Sequence, residues 1–215
     1  MKKVLSVLLL FVFAVSMQAQ TTNSKFVKAM EKALAVLDTA TTYEHWLDAS
    51  NNFERISLKE TKEWLPAYYV ALCQTMAFNL SKDAEKQELF AKKAQEFVDK
   101  ADKLQPDNSE IYVLKSMVSG LFIRINPMVN GQKYGPIAGM ELEKGMSLDP
   151  ENPRGYMQKG ISLFFTPEQW GGDKVKGKEL MEEAEKKFDT FKPASTIHPA
   201  WGREMNEAIL EMANQ

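Results

Sequence analysis

The stretch ADKLQPDNSEIY, Ala101 to Tyr112, is nearly repeated further along as KGMSLDPENPRGY, Lys144 to Tyr156, with Pro106 and Pro150 separated by 44 residues. A proline inside a helix removes a backbone donor and collides with the preceding turn, so each proline bars the helix before it from continuing. Asparagine is among the best helix N-caps, and proline is favoured at the first helical position. Asn108 and Asn152, the latter followed by Pro153, therefore predict that a new helix opens just after each stop.

Small and apolar residues precede these junctions at steps of 4 and then 3. Ala94, Val98 and Ala101 come before Pro106, and Ala138, Leu142 and Gly145 before Pro150. The trio recurs as Gly177, Met181 and Ala184, and more faintly as Ala49, Phe53 and Ile56. Such steps put the three side chains on one stripe of a helix, and the small ones let a second helix approach closely. A partner helix is predicted upstream of each stripe, in SKFVKAMEKALAVLD from Ser24, KEWLPAYYVALCQTMAF from Lys62, NSEIYVLKSMVSGLFI from Asn108 and PRGYMQKGISLFF from Pro153.

This order resembles the tetratricopeptide repeat (TPR), in which a helix with an aromatic and a small residue precedes a second helix carrying small, apolar and small residues and then Pro. Tyr69 and Cys73, Tyr112 and Ser116, and Tyr156 and Gly160 occupy the first-helix places. The resemblance implies an all-α, right-handed TPR-like α-solenoid. Its expected helix pairs are 24–57, 62–106, 108–150 and 153–190, with a capping helix at 198–213, all in a single domain spanning 21–215. The repeat unit is about 34 residues, so the 44-residue interval predicts long intra-repeat loops at 79–90, 124–136 and 166–173. The segment PEQWGGDKVKGKELMEEAE also resembles a loop of the helical-repeat T component of TRAP transporters, with Asp173 as an expected helix cap.

At the other end, MKKVLSVLLLFVFAVSMQAQ has a basic start, an apolar run from Val4 to Val15 and small residues near Ala19, the pattern of a signal peptide over 1–20. The run is shorter than the roughly 20 apolar residues of a spanning helix, so no membrane anchor is expected after cleavage. No Cys follows it to accept a lipid, and the expected location is periplasmic or secreted. Removing Lys2 and Lys3 leaves 25 basic against 29 acidic residues, a formal charge of −4. That balance argues against a nucleic-acid partner, which would need clustered basic residues in excess.

Little points to catalysis. The two histidines, His45 and His198, are far apart in sequence, and Cys73 sits within an apolar helix where burial would raise its pKa. Glu44, His45 and Asp48 share one helical turn but read as a solvated face, so no metal site is expected. The glycines of NGQKYGP, 130–136, match no phosphate-binding spacing and suit a loop. No cofactor is expected, and a hydrolytic enzyme is the least favoured function.

The TPR resemblance instead implies a binding groove lined by the first helices. Its residues in this chain are Val70, Gln74, Val113, Met117, Arg154, Met157, Ile161 and Phe164, which either fill a core beneath loops folded over a short, tightly curved superhelix or line an apolar pocket. Trp170, Gly171, Gly172, Asp173 and Trp201 are the exposed candidates. The favoured function is an extracytoplasmic module that binds a protein partner of the envelope. The alternative is a transport-associated carrier of a small apolar ligand held in the concave groove, with Met117, Met157, Ile161 and Phe164 facing one cavity.

Overall fold

Residues 65–78 are buried on every side, which fits a stretch in which only Gln74 and Thr75 interrupt the apolar and small residues. A helix apolar all round belongs at the centre of its fold, and this one is the axis of the core. In the computed structural model, which describes residues 24–214, the helices run α1 (Ser24–Leu34), α2 (Tyr43–Lys59), α3 (Trp64–Leu80), α4 (Ala84–Leu104), α5 (Ser109–Ile125), α6 (Pro127–Leu148), α7 (Pro153–Phe165), α8 (Lys174–Thr190) and α9 (Arg203–Ala213). Two short 3-10 turns, Leu37–Thr39 and Glu168–Trp170, complete the regular structure among the described residues. The leader read from the sequence lies outside them.

The architecture is an all-α solenoid-like array. Consecutive helices pack on one another, and α3, α5 and α7 also touch in succession to form an inner row. The junction caps are in place. Asn108 Oδ1 accepts from the Ile111 amide and Asn152 Oδ1 from the Arg154 amide at 3.0 Å, while Asp83, Asn126 and Asp173 cap α4, α6 and α8 in the same way. Each cap satisfies an amide that the first turn leaves without a carbonyl partner. The stripes face inward as their spacing requires: Ala94, Val98, Ala101, Leu142, Gly145, Met181 and Ala184 are all buried.

The surplus over a 34-residue unit is mostly helix. α3 passes to α4 through three residues, and α5 to α6 through Asn126 alone. α4 and α6 are lengthened to 21 and 22 residues. The expected loop at 79–90 is thus largely helical. Its polar residues form a solvated face after the Asp83 cap, and Ala, Glu, Lys and Gln are good helix formers. The expected loop at 124–136 also belongs mainly to α6, which runs through Pro136. Tyr134, stacked on Phe122 at 4.8 Å, and buried Leu142 and Gly145 hold α6 against α5 on either side of that proline. The connection at 166–173 does lie outside the α-helices, folded as a 3-10 turn closed by Gly171 in the left-handed region.

The closing helix starts at Arg203 rather than 198, because Gly202 takes φ +114°, which an L side chain rarely adopts. A Cβ there would lie 3.0 Å from the Phe188 ring.

Candidate functional site

The inner row is covered by the chain itself. Residues 191–202, between α8 and α9, lie against the inner row and are tied down through their carbonyls. Tyr69 donates to the Ile197 carbonyl at 3.2 Å, and Arg154 donates to those of Pro199 and Trp201 at 3.1 and 2.9 Å. The Trp201 indole N–H donates to the Tyr68 hydroxyl at 2.9 Å, and Trp64 meets His198 edge to face.

The expected groove residues therefore lie inside packed structure. Val70, Val113, Met117 and Met157 are buried, as is Gln74, which donates to Ser50. Arg154 is wholly buried against Glu110, Phe191 and Trp201. Burial pulls against its charge, but Glu110 beside it leaves the pKa above the ordinary arginine value. The four apolar residues expected to share a cavity divide. Met117 joins the main core, Met157 and Ile161 join a second cluster with Ala184 and Phe188, and Phe164 lies half-buried at the far end of α7. Burial also pushes the Cys73 thiol well up and His198 below its usual value.

Of the candidates expected to be exposed, Trp170 is, at 64%, as are Gly171 and Asp173, while Gly172 is half-buried. Trp201 is half-buried and works as an anchor, a correction that follows from its indole hydrogen bond. Asp173 is spent as the α8 cap, and Gly171 and Gly172 shape the turn before it.

Two open clefts lie elsewhere. One, about 350 Å³, separates α1 from α2. Phe26, Met30 and Ala33 anchor α1 to the core, and the eight residues 35–42 let it stand away from α2. The apolar side of this cleft is Phe26, Ala29, Ala33, Val36 and Ile56; Lys25, Lys32, Arg55 and Lys59 also line it, with Glu60 the one acid. Neither Lys32 nor Lys59 has a carboxylate partner among the described residues. The second, about 560 Å³, lies where α7, α8 and α9 meet; Phe164, Val175 and Met212 line it, and Lys174 and Lys178 are balanced there by Glu179 and Glu182. Volumes of this order are typical of small-molecule sites.

The first cleft was not read from the sequence. Its signal was present as Arg55 and Lys59 four residues apart on α2 and Lys25 and Lys32 seven apart on α1, which places each pair on one helix face. Nothing in the spacing indicated that the two faces meet.

No family model matches the chain, and no curated protein matches it. Among solved structures it is similar to the HusA haemophore from Porphyromonas gingivalis, at 28% sequence identity and a TM-score of 0.77, over 90% of this chain and 94% of that one. This chain is thus similar to a binding protein rather than to an enzyme. Among the described residues no helix is long and apolar enough to cross a membrane.

Proposed function

We propose that the protein is an exported carrier that binds a tetrapyrrole of the haem class. The observation that carries this reading is the likeness to a haemophore over nearly the whole length of both chains. The surface chemistry supports it as well. A haem presents a broad apolar ring and two carboxylates, and both open clefts combine apolar walls with lysines. The leader expected from the sequence is in keeping with a role outside the cytoplasm. The reading favours the ligand carrier over the protein-binding module, but moves the ligand away from the expected groove, since residues 191–202 cover the inner row. Titration of the purified protein with hemin tests it: a saturable change in the Soret band at a fixed stoichiometry is expected, and a change no larger than that with an unrelated helical protein would refute it.

A second reading, docking of an envelope protein, draws on Phe165, Trp170 and Val175, which stand exposed at the α7–α8 connection. Trp170→Ser is then expected to abolish capture of a partner from envelope extract while leaving hemin binding unchanged.

A further inference from the structure

We infer that the ligand's carboxylates are received in the cleft between α1 and α2, by Lys32, Arg55 and Lys59, with the apolar ring laid against Ala29 and Ile56. The inference rests on the tetrapyrrole reading and assigns its site. Charge decides between the two clefts. Four basic residues and a single acid line the α1–α2 cleft, in a chain whose overall balance is acidic. At the α7–α8–α9 cleft two lysines face two glutamates, and Lys178 already lies 3.9 Å from Glu182. An anion entering there would meet its own charge on the wall, whereas one entering between α1 and α2 meets Lys32 and Lys59, neither of which has a carboxylate partner among the described residues.

Position adds to charge. Arg55 and Lys59 are one turn apart on α2, and Arg55 already donates to Asn52 on the same wall, which holds its guanidinium at the cleft. Lys32 approaches from the last turn of α1. Cations on both walls with an apolar floor between them match a ligand that is apolar in its body and doubly acidic at one edge.

The test uses hemin and the purified protein. Arg55→Glu combined with Lys59→Glu is expected to weaken binding by about tenfold or more, since two favourable pairs become two repulsive ones and each exposed pair is worth up to about 1 kcal/mol. Ala29→Trp, which fills the floor without altering charge, is expected to reduce binding similarly. Lys174→Glu combined with Lys178→Glu is expected to leave it unchanged. Ala29, Arg55, Lys59 and Lys174 are exposed and Lys178 is half-buried, and an unaltered thermal melt separates lost binding from lost fold. If wild-type protein binds hemin and both α1–α2 variants bind it equally well, the site assignment is overturned and the tetrapyrrole reading survives. If the α8 pair alone weakens binding, the site belongs to the other cleft. If wild-type protein binds no hemin, the tetrapyrrole reading itself fails and the assignment falls with it.

Discussion

Arg154 Nε donates to Glu110 Oε2 at 2.7 Å, joining the first turn of α7 to the first turn of α5, with the arginine side chain wholly removed from solvent. The same guanidinium holds the carbonyls of Pro199 and Trp201, so one cation connects the inner row to the segment that closes it. Breaking a buried pair from one side leaves an uncompensated charge, which costs about 3–5 kcal/mol. Glu110→Ala is expected to lower stability by that order, measured as a shift in the urea midpoint. A loss under 1 kcal/mol would show that the pair is not the anchor described.

Two glycine substitutions should act in opposite directions. α7 and α8 cross so closely that a Cβ on Gly160 would lie 2.7 Å from the Gly177 carbonyl oxygen and 2.6 Å from Met181 Cγ. Gly160→Ala should therefore destabilise by about 1–3 kcal/mol, the usual cost of overpacking. A Cβ on Gly139, exposed on α6, meets nothing. Gly139→Ala should stabilise by about 0.5–1 kcal/mol through helix propensity alone. Paired thermal melts read both signs.

Burial holds His198 below its usual value of 6.5, partly opposed by the Glu110 charge. Between the folded and unfolded pKa values the unfolded chain binds more protons, so stability falls as the pH drops below about 6.5 and levels off beneath the lowered folded pKa. His198→Gln should flatten that part of the stability profile, as followed by chemical denaturation from pH 7.5 to 5. An unchanged slope would mean that the imidazole is not shielded where it meets Trp64.

Cys73 is fully buried and its thiol is pushed up by that burial. Only the thiolate reacts readily. A soluble disulfide reagent should leave it untouched in the native protein and titrate one thiol in denaturant; rapid native labelling would contradict its place inside α3.

The inner architecture was legible because its signals are local. Pro106 and Pro150 stop helices, Asn108 and Asn152 start them, and stripes such as Ala94, Val98 and Ala101 declare a buried face through spacing alone. The long α4 and α6 were harder to read, since KDAEKQE on a solvated helix looks like KDAEKQE in a loop until Asp83 is known to be a cap. Arg154 reads in sequence as a groove cation. Its burial depends on FKPASTIHPAWG, 191–202, which has no periodicity and binds the inner row largely through backbone carbonyls that no side-chain pattern announces. The α1–α2 cleft needed the relative placement of two helices, which depends on how far residues 35–42 let α1 stand off.

The central claim is that a haem-class ligand is held by the basic cleft between α1 and α2. Its most direct measurement is a hemin titration of wild-type protein beside the Arg55→Glu, Lys59→Glu double variant, followed at the Soret band at low and high salt. The account predicts saturable binding by wild type that weakens with salt, and at least about tenfold weaker binding by the variant with little salt dependence left. Equal affinities and equal salt profiles for the two proteins would contradict it.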